Sequence, residues 1–389
     1  MTRPFRRITL YLPGFDPFPA RRYREIYRRE SAAQAAISGY RIRLRPGAGI
    51  AGYGWHVQAS FPGARIRSQV EVLPWADLVR SSMRGGVIAP YLQLARTAWI
   101  YAASGTLSRL VRLRKGPVLA ILYPVGVLVL QMLSALLLAW LAAWLVGGIA
   151  GFVAGLVLAW LTLLVFRRLD HLLYARYLMH DFAFAAQHRG AYAPALETRL
   201  DHFTDRLRAA LTQDVDEVLV VGHSSGAYLA VTVVADLLRS NPCHRPALSL
   251  LTLGHVVPMV SLLPRADRLR ADLALLSESP AIFWLDVSAP GDACCFGLCD
   301  PVAVSGVAGP DQRWPLVISA AFSRTLLPGT RRRLRGRWFR LHFQYLHAFD
   351  RPDGYDYFAI TAGPLTLAQR YGGRGHSPGR IAKPVGRRA

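Results

Sequence analysis

Charge is what the middle of this 389-residue chain lacks: from Pro117 to Phe166 there is no Asp, Glu, Lys or Arg. Soluble helices keep a polar face, so a run of about 50 uncharged residues argues against an ordinary core helix pair. It is long enough for two membrane spans of about 20 residues each with a turn between them. The first span is expected from about Val118 to Leu145, the turn at Gly147-Gly148-Ile149-Ala150-Gly151, and the second span up to Phe166. Gln131 and Ser134 are the clearly polar side chains of the first span, and they are expected to face the partner helix.

Negative charge is also scarce, with 24 acidic against 47 basic residues and a net charge of +23 that is almost wholly arginine. Such a balance could serve nucleic acid, but no nucleic-acid-binding module accompanies it. Arg109, Arg112, Arg114 and Lys115 precede the uncharged stretch and Arg167 and Arg168 follow it. Anionic headgroups attract such juxtamembrane cations at about 1 kcal/mol each, so lipid is the expected partner and nucleic acid is not. Basic flanks on both sides of an uncharged turn put both ends of the hairpin in the cytoplasm. The first twelve residues are basic and short of apolar length, which is not the pattern of a secretory signal. The expected location is therefore an integral membrane protein with its bulk and both termini cytoplasmic.

Cysteine is sparse too. Three of the four form Cys294-Cys295-x-x-x-Cys299, which lacks the separated pairs of zinc sites. In a reducing compartment free, partly buried thiols are expected, with no metal and no cofactor.

What is present is a strand, a tight turn and a helix around one serine. Val218-Leu219-Val220-Val221 leads into Gly222-His223-Ser224-Ser225-Gly226 and then Ala227-Tyr228-Leu229-Ala230-Val231. A serine in that turn is lifted clear of the sheet, the next amide faces an oxyanion, and the flanking glycines let strand and helix approach. Around it, strands are expected at Arg6–Leu12, near Tyr40–Leu44, at Val70–Leu73, Leu248–Leu253, Ala281–Leu285 and Trp338–Leu341. Helices are expected at Ala20–Ile37, at the 3/4-spaced Leu196, Leu200, Phe203, Leu207 and Leu211, at Gly226 to about Arg239, and at Ala266–Leu276. That alternation predicts an α/β fold: a mostly parallel sheet with helices on both faces, interrupted by a two-helix transmembrane hairpin. The expected division is residues 1–116 and 168–365 for the two parts of one domain, 117–167 for the hairpin, and 366–389 for a disordered basic tail.

A serine needs a base, and the base needs a carboxylate. Asp292, beyond the Ala281–Leu285 strand in Ser288-Ala289-Pro290-Gly291-Asp292, ranks first as the acid, ahead of Asp286 at the end of the strand and the more distant Asp300. For the base, His342 is preferred over His347. His223 is expected to pack around the elbow and His255 to line the pocket. Oxyanion donors are expected from the backbone of Ser225 and of Phe15, the latter in Pro13-Gly14-Phe15-Asp16 after the first strand.

Together, the strand with Pro-Gly-Phe, the Gly-His-Ser-Ser-Gly elbow, Leu-Leu-Thr-Leu-Gly-His, Ala-Pro-Gly-Asp and a late histidine resemble the α/β-hydrolase superfamily, particularly its lipase and esterase branches. The resemblance covers most of the chain outside the hairpin and the tail. It implies Ser224 as nucleophile, Asp292 as acid and His342 as base. The early loop departs from the family in lacking a histidine before its glycine. The expected activity is hydrolysis of carboxylic esters, with lipid-derived esters suggested by the hairpin. Thioesters or peptides are alternative substrates, and a catalytically silent membrane scaffold on the same fold is the alternative of another class.

Overall fold

The computed structural model describes residues 3–47, 52–240 and 246–385. Eight strands form one sheet: β1 (Phe5–Leu12), β2 (Arg41–Pro46), β3 (Tyr53–Phe61), β4 (Ala64–Val72), β5 (Glu217–His223), β6 (Ala247–Leu253), β7 (Phe283–Ser288) and β8 (Leu316–Ser319). Their order is β2-β3-β4-β1-β5-β6-β7-β8. β2, β3 and β4 pair antiparallel, and every pairing from β4 through β1 to β8 is parallel. The molecule is an α/β protein with a mixed, mostly parallel sheet.

The difference between the two halves is written in their side chains. β5 is buried along its whole length, with Val218 and Val220 in one apolar cluster and Leu219 and Val221 in the other. Successive side chains of a strand point to opposite faces, so a strand apolar at every position needs cover on both. Helices Pro194–Leu211, Gly226–Arg239 and Asp267–Glu278 supply buried residues on one side. Helix Arg21–Ser38 and the segment Tyr345–Tyr371 supply them on the other. In β3, by contrast, only Trp55, Val57 and Ala59 are buried, the alternation of a strand with one face toward water.

All the loops that matter leave the same sheet edge. Leu12, the last residue of β1, is paired with Gly222 near the end of β5, and His223 with Leu253 at the end of β6. Pro13–Asp16, Ser224 and Ala289–Asp292 therefore emerge side by side at the carboxyl ends of parallel strands, where ligands of open α/β sheets bind.

Two helices, Lys115–Val146 and Gly148–Arg168, stand out from this body. Both are long and apolar enough to cross a membrane. At 1.5 Å per residue the shorter one spans about 31 Å, close to the hydrocarbon thickness of a bilayer. They meet through small residues: a Cβ on Gly151 or Gly155 would lie 2.6 Å from the carbonyl oxygen of Ala143 or Ala139. The first helix has two parts. Up to Ala135 it buries Ile121, Leu128, Gln131 and others. Beyond that its side chains are largely uncovered.

Several expectations are corrected. Trp338–Leu341 is not a strand but part of a short helix, Trp338–His342. A run of four residues with two aromatics does not distinguish the two by itself, and the last strand is instead Leu316–Ser319. β3 was not anticipated, although its alternation is visible. The strand expected to stop at Leu285 runs to Ser288, which places Asp286 inside it. Gln131 meets Tyr91 of helix Ala89–Ala103, whose hydroxyl donates to its Oε1 at 3.0 Å, and Ser134 donates to the Leu130 carbonyl of its own helix. Finally, the segment after residue 365, expected to be disordered, is ordered through Val385. Arg7 on β1 donates to the Gly363 carbonyl, its Glu217 partner accepts from the Leu367 amide, and Thr366 and Gln369 form a capping box. Ser377 and His376 hydrogen-bond the backbone of Val317 on edge strand β8, and Ile381 bridges to Cys299. The tail thus covers a sheet edge that would otherwise present unpaired amides.

Candidate active site

Ser224 has φ of 57°, a left-handed conformation that a residue with a Cβ adopts at a cost of about 1–2 kcal/mol. The turn is held from outside: the Ser224 amide donates to the Leu253 carbonyl at 2.9 Å, and Ala227 returns to the Ser224 carbonyl at 3.1 Å. The close approach that glycine permits is also measurable. A Cβ at Gly226 would lie 2.2 Å from the Leu12 carbonyl oxygen, and one at Gly14 would lie 2.9 Å from the Ser224 Cβ. Gly14 therefore lets the β1 loop sit against the serine.

Asp292 and His342 meet although fifty residues separate them. The His342 Nδ1 lies 2.7 Å from Asp292 Oδ2, which fixes Nδ1 as the protonated nitrogen. Asp292 also accepts from the Tyr345 hydroxyl at 3.0 Å and from the Cys294 amide at 2.9 Å. Burial alone would raise its pKa, but the adjacent His342, with the Cys294 amide and the Cys295 thiol, outweighs burial and holds the carboxyl below its ordinary range. Its charge is thus kept at the imidazole. On the other side of the ring, the buried His342 Nε2 has no partner among the described residues.

Ser224 and His342 line one pocket, together with Gly14, Phe15 and the apolar Ile121, Phe182, Val256 and Met259. Phe15 is anchored by rings of Trp75, Tyr177 and Phe184, while Trp75 Nε1 donates to the Pro13 carbonyl at 2.9 Å. Neither the Phe15 nor the Ser225 amide donates to another group among the described residues. Both are free to serve an oxyanion.

The other candidates fall elsewhere. His347 is buried against the Phe343 carbonyl at 2.7 Å, with Glu30 at 3.9 Å, and burial lowers its pKa to about 4. It does not line the Ser224 pocket. Asp286 lies within β7, accepts from Thr252 at 2.6 Å and lies 3.8 Å from His255. Burial raises its pKa, and it makes no contact with His342. Asp300 caps helix Pro301–Val304 and pairs with Arg380. His255, expected in the pocket wall, is instead fully buried with its Nε2 2.9 Å from the Cys299 carbonyl.

Three residues of the site went unrecognised in the sequence. Tyr345 bridges Asp292 and the Ala289 amide; its position three residues after the base was the one available signal. His223, expected only to pack, has its Nε2 3.0 Å from the His342 carbonyl and its ring centroid 4.8 Å from that of His342. Burial lowers its pKa to about 3, so it stays neutral and donates. Asp181, from helix Ala175–Ala186, lines the pocket and accepts from the Ser225 hydroxyl at 3.5 Å; burial raises its pKa to about 7. Nothing in the sequence near Asp181 signals this.

Asp292, Cys294 and His342 are also close enough to suggest a metal site. Asp292 and His342 already hydrogen-bond each other, however, which accounts for their closeness without a metal. Cys294, Cys295 and Cys299 are free thiols. No family model, curated protein or solved structure matches the chain.

Proposed function

We propose that the protein is a membrane-anchored serine hydrolase of carboxylic esters, built on an α/β-hydrolase-like fold. The observation that carries the reading is a meeting at one sheet edge: a serine in a left-handed turn shares a pocket with a carboxylate-bound imidazole whose second nitrogen is free. The order of the parts supports it, with an oxyanion loop after β1, the serine after β5, the acid after β7 and the histidine after β8.

In this reading His342 Nε2 takes the Ser224 proton as Oγ attacks the ester carbonyl, and Asp292 stabilises the resulting imidazolium. The Phe15 and Ser225 amides receive the oxyanion. As the tetrahedral intermediate collapses, the C–O bond to the alcohol breaks and the alcohol takes the proton from His342. Water then attacks the acyl-serine, giving its proton to His342, and the carboxylic acid leaves as Ser224 is reprotonated. Tyr345 and His223 are positioning residues that hold Asp292 and His342.

The uncovered apolar surface of the hairpin supports membrane insertion: Trp144 is 70%, Leu145 73% and Ile149 85% exposed. The arginines at its base support a cytoplasmic body. The full chain in detergent, assayed with p-nitrophenyl esters, is expected to give a burst of p-nitrophenol of about one equivalent per enzyme followed by slower turnover. Absence of both burst and turnover across short and medium acyl chains would remove the ester reading in favour of the silent scaffold.

A further inference from the structure

Beside the Ser224 pocket lies a second, larger depression. The free space at Ser224 is about 80 Å³, against about 860 Å³ in the neighbouring groove. The two share Leu178, Trp338, Phe339 and Phe343 as walls, so they adjoin across those side chains. The space at Ser224 suits the reacting carbonyl and its immediate neighbours, and the adjoining groove, which shares four of its walls, has room for the bulk of a substrate.

The groove is not neutral. Arg22, Arg28, Arg29, Arg337 and Arg340 line it, with Glu25 as the single carboxylate. Arg22 is engaged by Asp16, Arg28 by Glu25 and Arg29 by Glu30. Arg337 and Arg340 pair with no carboxylate among the described residues; Arg340 donates only to the Gln344 amide oxygen at 3.2 Å. Arg340 is half-buried, and burial works against its charge, lowering its pKa. The Glu30 carboxylate supports the Arg340 charge from a distance and Arg29 opposes it, but no carboxylate forms an ion pair with it, so an anion that reaches this partly buried cation is stabilised there.

The position of the groove says where that anion comes from. Its other wall is the base of the hairpin: Tyr123 of the first apolar helix, and Leu172, Leu173 and Tyr174 just after the second. Tyr123 ties these together by donating to the Leu173 carbonyl at 2.8 Å, and its ring meets Trp338 at 6.1 Å. Trp338 begins the short helix that ends in His342. The groove therefore lies between the base of the apolar hairpin and the helix that ends in His342.

Building on the ester-hydrolase reading, we propose that the substrate is a phosphate-bearing acyl lipid: its ester carbonyl sits at Ser224 while its phosphate is held by Arg337 and Arg340 in the groove at the hairpin base. The glycerol between ester and phosphate spans the shared aromatic wall.

The test compares 1-oleoyl-glycerol 3-phosphate with 1-oleoyl-glycerol, both dispersed in phosphatidylcholine vesicles carrying the full chain. The phosphate lipid is expected to have kcat/KM about tenfold higher, the effect of a charge-assisted hydrogen-bonded pair. In the double variant Arg337→Gln/Arg340→Gln that ratio should fall to about one, and Arg340→Lys should retain most of it. Arg333→Gln, on the outer surface away from the groove, should leave the ratio unchanged. A wild-type ratio near one, or a ratio that survives the double variant, overturns the proposal. Faster turnover of oleoyl-coenzyme A than of the phosphate lipid overturns the lipid source, since it would place the phosphate on a soluble thioester. Fluorophosphonate labelling of Ser224 separates the two failures. If Ser224 labels but the ratio is one, or neither lipid turns over, this substrate is wrong while the hydrolase stands. If Ser224 does not label, the hydrolase reading itself fails.

Discussion

The serine elbow and the hairpin are built on opposite terms. At the elbow nearly every polar group is accounted for within the chain: the Ser224 amide by Leu253, Asp292 by His342, Tyr345 and Cys294, and His223 by the His342 carbonyl. The groups left over, His342 Nε2 and the Phe15 and Ser225 amides, are those a reaction would use. In the hairpin the backbone satisfies itself, and what is left over is apolar surface. In the proposed reading one region is completed by a substrate and the other by a lipid phase. They meet at Ile121 and Tyr123, where the first hairpin helix becomes a wall of the pocket and of its groove.

That contrast can be broken from either side. The largest effect is expected from Asp292→Asn, which leaves shape intact but removes the charge that sets the His342 tautomer; kcat on a p-nitrophenyl ester should fall by about 10⁴-fold. On the hairpin, Leu137→Lys puts a charge on a side chain 55% exposed. Insertion should cost about 2.5–3.5 kcal/mol, and less protein should remain in the membrane fraction after a carbonate wash. Unchanged retention would mean that this surface does not enter lipid. Tyr345→Phe removes one hydrogen bond to Asp292 and a partner of the Ala289 amide; kcat should drop about tenfold, with KM little changed.

The smallest effect belongs to Asp181. Its carboxyl, pushed up from 3.8 to about 7, binds its proton more tightly in the folded chain than in the unfolded one. Stability from this group is therefore greatest below pH 4 and declines as pH rises towards 7, where the buried carboxylate must ionise. Asp181→Asn should raise Tm by roughly 2–4 °C at pH 8 and by little at pH 4, as read by calorimetry. An equal shift at both pH values would show that ionisation plays no part.

The two regions also differ in how far the sequence disclosed them. The elbow was legible because its constraints are local: glycines at fixed offsets and an apolar strand before a helix. The hairpin was legible by composition. Asp292 and His342, preferred on loop position, hydrogen-bond each other and His342 shares a pocket with Ser224, while Asp286 and His347 lie in other environments. His342, however, ends a short helix rather than following a strand, because Trp338–Leu341 is helical. A short aromatic run takes its conformation from its neighbours, here Tyr123, Tyr174 and Tyr177. Asp181 meets a serine 44 residues away, and the groove joins Arg22, Arg28 and Arg29 to Arg337 and Arg340 from the far end of the chain; no local pattern announces such meetings. The basic tail read as disordered because its composition is polar, yet Ile381 and Tyr371 find cover and Arg380 finds the buried Asp300.

The central claim is that Ser224 is a nucleophile activated by His342, and covalent capture tests it most directly. The full chain in detergent, treated with a fluorophosphonate and mapped by peptide mass spectrometry, should carry one adduct, on Ser224. Labelling should be lost in Ser224→Ala and slowed at least about a hundredfold in His342→Ala. An adduct on another residue, or equal labelling rates in the wild type and His342→Ala, would contradict the account.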